Sequence, residues 1–169
     1  MNDQNNHHPE LLVRVANFLT AEADHIDQRE WQAWVDMYTE DAIFWMPAWR
    51  NEDEITNDPK RDLSLIYLTE RGIQDRVFRF DSGDAYSATP LATTCHLVSN
   101  FRLMAVSDDS LSVRAKALVT SMDPRIGTVI RSCHYDYTMN REGDSFRIKQ
   151  KKVVLLDRQI DGTIDVYNV

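Results

Sequence analysis

The chain has 169 residues, which is enough for one domain and thin for two. Its formal charge of −8 and pI near 5.0 argue against nucleic acid, whose phosphates demand a basic face. No apolar run approaches the roughly 18 residues needed to span a bilayer, so no membrane partner is expected.

The polar opening MNDQNNHHPE lacks a basic-then-apolar leader pattern, so a cytoplasmic setting is expected. Residues 1–9 are expected to be disordered, within a single domain over 1–169. Residues 10–25 place Leu11, Leu12, Val15, Phe18, Leu19 and Ala23 on one side of a helix. Trp31, Trp34, Val35 and Tyr38 repeat the pattern over 28–38, with Asp27 as the expected N-cap and Glu30 three residues on. DAIFWMPAW (41–49) reads as a strand that stops at Pro47 or lies on an edge. The charged stretch 50–62 reads as a long loop, of a length that often contacts a partner. A strand over Leu63–Leu68 and a helix over Glu70–Asp81 follow, the helix ended by Ser82-Gly83, then a loop over 84–92.

Beyond residue 92 helical spacing disappears. Thr93–Val106, Leu111–Met122, Thr128–Asn140 and Ser145–Leu156 read as long strands, parted by turn residues at 107–110, 123–127 and 141–144. Leu111, Val113, Ala115, Ala117 and Val119 share one face of the second of these strands. The tail from Arg158 can add a short extended segment. The expected fold is α+β: a curved mixed or antiparallel sheet wrapped as a cone on N-terminal helices.

A cone can enclose a pocket, and an Asp–His pair inside one could move protons. Asp36, Asp41, His96, His134 and Asp136 are the candidates. His134 and Asp136 are two apart on one strand face, with Tyr135 and Tyr137 on the other. No G-x-S-x-G elbow, G-x-G-x-x-G or phosphate loop is present. Cys95-His96 and Cys133-His134 look like metal ligands, but neighbours on a strand point to opposite faces, so neither pair can offer both side chains to one ion. A Rieske centre needs two spaced Cys/His pairs, which adjacent residues do not supply. No cofactor or metal is therefore expected in this chain.

Several stretches in order carry a resemblance: YTEDAIFWMPAW (38–49), ITNDP followed by SLIY (55–67), DRVFRFDSGDAYSATP (75–90), HLVSNFRL (96–103) and the closing KKVVLLDRQIDGTIDVYNV (151–169). Together they resemble the small, or beta, subunit of aromatic-ring-hydroxylating dioxygenases, and the first half resembles the branch acting on benzoate, anthranilate and related carboxylates. The resemblance implies a fold like nuclear transport factor 2. It also implies a large alpha subunit as partner, holding the Rieske 2Fe-2S cluster and the mononuclear iron, in an α3β3 hexamer fed with electrons from NADH through a reductase or ferredoxin. The beta subunit of such a complex supports assembly and has no catalytic residue. Trp45, Trp49, the 50–62 loop, and Arg71, Arg76 and Arg79 are the expected interface residues, because aromatic anchors and planar guanidinium groups suit interfaces. The competing expectation is a stand-alone isomerase, dehydratase or small-ligand binder of the same architecture, with His134 and Asp136 as its acid–base pair.

Overall fold

Proline has no amide hydrogen to leave unpaired, which suits the first turn of a helix. Accordingly α1 opens at Pro9 and runs to Asp27 in the computed structural model, which describes residues 8–83 and 89–169. Its Val15, Leu19, Ala23 and Ile26 are buried. The second helix is much shorter than its periodicity predicts: α2 is only Trp31–Asp36. Arg29, at φ 59, breaks the helical ladder ahead of it, and Tyr38 behind it is drawn into a strand. Asp27 is thus the last residue of α1. Glu30 takes the N-cap position of α2.

The strands are β1 (Tyr38–Pro47) and β2 (Ser64–Leu68), followed by α3 (Gly72–Ser82). Gly83 closes α3 in the left-handed conformation at φ 71, which costs a residue without Cβ nothing. Then come β3 (Thr93–Val106), β4 (Ser110–Asp123), β5 (Gly127–Glu142) and β6 (Ser145–Leu155). These four form the expected antiparallel meander, and β4 presents Leu111, Val113, Ala115, Ala117 and Val119 to the core. The full sheet has the order β2-β1-β6-β5-β4-β3, with β1 parallel to β6 and antiparallel to β2. Pro47 ends β1, where a missing amide hydrogen costs no ladder bond. Of the expected 84–92 loop, residues 84–88 lie outside the described residues, as do residues 1–7 of the N-terminal end.

One helix touches distant parts of this sheet. Asp27 bonds to β3, while Glu22, about a turn earlier, bonds to β5 and β6. The sheet therefore curves around α1. In the β4–β5 register Ala115 lies opposite Tyr135, and the small side chain leaves room for the ring on the concave side. The fold is α+β, with the N-terminal helices on a six-stranded mixed sheet.

The tail adds no strand. Its polar groups are taken up by side chains instead: the Arg131 guanidinium donates to the carbonyls of Asp161 (3.0 Å), Thr163 (3.3 Å) and Asn168 (3.4 Å). Val166, Tyr167 and Val169 are buried, and Tyr167 meets Phe80 of α3 edge-on with ring centroids 5.3 Å apart.

Candidate functional site

The interior of the curved sheet is the natural place for a pocket, and a buried ion pair lies there. Glu22 comes from α1 and Lys151 from β6. The Lys151 ammonium donates to both Glu22 oxygens, at 2.8 and 3.0 Å, and both side chains are 1% exposed. Trp34 Nε1 (2.9 Å) and the Tyr38 hydroxyl (2.6 Å) donate to Oε1, and the Tyr137 hydroxyl (3.2 Å) donates to Oε2. The ammonium also lies 4.5 Å from the Tyr135 ring centroid and 5.6 Å from that of Tyr137. Burial by itself would raise the Glu22 carboxyl, but the Lys151 charge and these hydrogen bonds outweigh it and hold the group below its usual value. Burial drives the hydroxyls of Tyr38, Tyr135 and Tyr137 well above the usual phenol range, so all three stay neutral, and those of Tyr38 and Tyr137 serve as donors to Glu22. With both Glu22 oxygens and the Lys151 ammonium bonded within the chain, this network is suited to holding α1 against the sheet.

A second contact pins the end of α1. Asp27 Oδ1 lies 2.6 Å from His96 Nδ1 and accepts the Thr94 hydroxyl at 2.7 Å, and Asp27 Oδ2 accepts the His96 amide at 2.8 Å. Burial opposes ionisation of Asp27, but these bonds prevail and lower its pKa. His96 Nε2 is buried with no hydrogen-bond partner among the described residues, and none of the described cavities is lined by Asp27 or His96.

The other acid–base candidates lie elsewhere. His134 and Asp136 do share a face of β5, but it is the outer one, while Tyr135 and Tyr137 point into the core. Asp136 pairs with Arg114 at 2.7 Å across β4, not with His134. Asp36 and Asp41 are exposed, bonded to Gln32 (2.8 Å) and Thr39 (2.8 Å). The two Cys-His pairs split as strand geometry requires: Cys95 is exposed with His96 inward, and Cys133 is buried with His134 outward. Burial pushes the Cys133 thiol up to about 12, far from the thiolate a metal ligand needs. Among the described residues no group of three or more His, Cys, Asp or Glu is arranged to hold a metal ion. These donors do not fit a Rieske cluster or a mononuclear iron.

The expected interface residues divide by environment. Arg76 Nε donates to the fully buried Asp165 of the tail at 2.6 Å, so its charge is used within the chain. Trp45 is 7% exposed, donates to Ser64 Oγ at 3.0 Å and carries Lys152 4.5 Å from its ring centroid. Trp49 Nε1 donates to the Leu155 carbonyl at 2.7 Å. The 50–62 loop is tied down: Asp62 bonds Arg50 (2.7 Å) and accepts the amides of Asn57 and Asp58, and Thr56 Oγ1 donates to the Leu63 carbonyl (2.8 Å). Arg71 and Arg79 are exposed and make no ion pair among the described residues. Arg71 lines a cavity of ≈ 240 Å³ with Glu40 and Gln74.

Residues 21–162 match the family model described as the ring hydroxylating beta subunit. The chain belongs to that family. The beta subunit of toluate 1,2-dioxygenase from Pseudomonas putida is 38% identical over 157 residues, 92% of this chain and 96% of the relative. The small subunit of anthranilate 1,2-dioxygenase from Acinetobacter baylyi is 36% identical over 164 residues, 95% of this chain and 98% of the relative. Among solved structures, the beta subunit of benzoate 1,2-dioxygenase from Burkholderia mallei superposes with a TM-score of 0.73 at 30% identity, covering 92% of this chain and 95% of that one.

Four residues that organise this ring-hydroxylating beta subunit escape a reading by residue type: Glu22, Lys151, Arg131 and Asp27 in its bonded role. A positional signal existed for two of them. Glu22 falls in the buried series Val15, Leu19, Glu22, Ile26 of α1, and Lys151 shares its strand face with Val153 and Leu155. A charge at an inward position of each of two elements is a cue to a buried pair.

Proposed function

We propose that this beta subunit serves its dioxygenase architecturally, and that the oxidation is carried out on an aromatic carboxylate of the benzoate, toluate or anthranilate type by a large alpha subunit. The observation that carries this reading is the buried Glu22–Lys151 network. Both Glu22 oxygens are bonded within the chain, by Lys151, Trp34, Tyr38 and Tyr137, which suits a structural tie between α1 and the sheet. The divergent Cys-His pairs support placing the Rieske 2Fe-2S cluster and the mononuclear iron in the partner. Electrons would come from NADH through a reductase, directly or by way of a ferredoxin, and the product would be a cis-dihydrodiol. An α3β3 hexamer in the cytoplasm is the assembly that fits this role, and two free thiols suit a reducing compartment. On its surface, Arg71 and Arg79 are two cations open to a carboxylate of another subunit. Trp45, Trp49 and Arg76 would support the interface from behind, by fixing β1, the 50–62 loop and the tail.

One observation favours the stand-alone isomerase or dehydratase: Asp27 orients His96 as a base would be oriented. Co-expression with and without the large subunit separates the two. The architectural reading expects dihydroxylation of benzoate only from the co-expressed complex. Turnover by the beta subunit alone would reject it.

A further inference from the structure

Two buried polar atoms on the concave face of the sheet have no protein partner among the described residues: His96 Nε2 and the Tyr135 hydroxyl. The His96 side chain is 1% exposed and Tyr135 is 0% exposed. Native interiors pair nearly all such atoms, with protein groups or with ordered water.

The register defines the space around the two atoms. His96 lies opposite Val119, and Tyr135 lies opposite Ala115. The row between them is Val98, Ala117 and Cys133, paired across β3, β4 and β5. Ala115, Ala117 and Cys133 are short, so the two longer side chains can lean toward each other over them. Helix α1 serves the same region. Its Asp27 bonds His96, and the charges of Glu22 and Asp27 both bear on the Tyr135 hydroxyl.

The chemistry of these groups selects the occupant. The Asp27 carboxylate can only accept, so the neutral imidazole carries its proton on Nδ1 and leaves Nε2 as an acceptor. The occupant must therefore donate to His96. The Tyr135 hydroxyl can donate or accept, and the Cys133 thiol between them is a weak partner of either kind. An ion finds no free counter-charge here, because Lys151 is engaged by Glu22, and Asp27 by His96 and Thr94. Three short side chains leave room for a molecule of ~30 Å³, the size of a water.

We propose that an ordered water is bound here, donating to His96 Nε2 and hydrogen-bonded to the Tyr135 hydroxyl. It joins β3 to β5 beneath α1. It also makes the two ties of α1 continuous, because the Tyr135 ring centroid lies 4.5 Å from the Lys151 ammonium. The site does not depend on the large subunit or its chemistry.

The full chain supplies the test. Its crystal structure shows one solvent peak within hydrogen-bond distance of both His96 Nε2 and the Tyr135 hydroxyl. Heteronuclear NMR finds the His96 proton on Nδ1. Tyr135→Phe keeps the ring beside Lys151 and removes only the hydroxyl. It raises the unfolding constant in urea about 5- to 10-fold, whereas deleting a bare buried hydroxyl would lower it. No peak in the wild type overturns the proposal, as does a proton on Nε2, or a Tyr135→Phe variant at least as stable as the wild type. A peak too large for water, with an organic mass retained in native mass spectrometry, gives the site another occupant and overturns it equally.

Discussion

A carboxylate and an ammonium shut away from water are tolerable only together. Removing one of Glu22 and Lys151 leaves the other charged, desolvated and surrounded by rings. Lys151→Met should therefore destabilise the fold by about 3–5 kcal/mol, measured by urea denaturation. Adding Glu22→Gln to that variant should recover much of the loss, since a neutral amide can still accept from Trp34 and Tyr38. A double variant no more stable than the single one would contradict the pairing. The pH dependence has a definite sign. Glu22 and Asp27 titrate below their usual values in the folded state. Their contribution is thus complete above the unfolded carboxylate values, near ~4, and is lost as pH falls through the lower folded ones. Urea midpoints should fall on acidification below about pH 4, and Glu22→Gln should make that fall shallower. An equal slope in the variant would show that Glu22 is not a source of it.

At the scale of elements, the tail is the segment most dependent on individual side chains. Arg76→Ala removes the guanidinium that ties α3 to the buried Asp165 of the tail and should cost about 2–3 kcal/mol. Limited proteolysis should then cut the tail faster than in the wild type, while Arg71→Ala, at an exposed position, should change stability by less than about 0.5 kcal/mol. Equal cleavage in Arg76→Ala and the wild type would show that the tail is held without Arg76. The meander was legible because β4 alternates cleanly, and α1 because its stripe recurs at helical spacing. The parallel pairing of β1 with β6 was not, since nothing local in either strand names a partner so far along the chain. The truncation of α2 was hidden for a different reason. Trp31, Trp34 and Tyr38 keep helical spacing, yet Arg29 takes a left-handed conformation that its side chain does not advertise. The tail's lack of a strand depends on Arg131, whose role appears only once β5 has placed it inward. Of the candidate site residues, strand parity correctly put His134 and Asp136 on one face, but parity cannot say which face is the interior.

For the whole molecule, the interior of the curved sheet holds a buried polar network and one oriented imidazole, His96, that lines none of the described cavities. A base in use for catalysis typically contributes 10²–10⁴-fold. The most direct measurement is therefore benzoate turnover per iron in the assembled oxygenase carrying His96→Gln. An architectural beta subunit predicts a rate within about twofold of wild type at equal assembly, because the imidazole holds an element and touches no substrate. A loss of ~100-fold or more, with hexamer mass and iron content unchanged, would place chemistry in this chain and contradict the account.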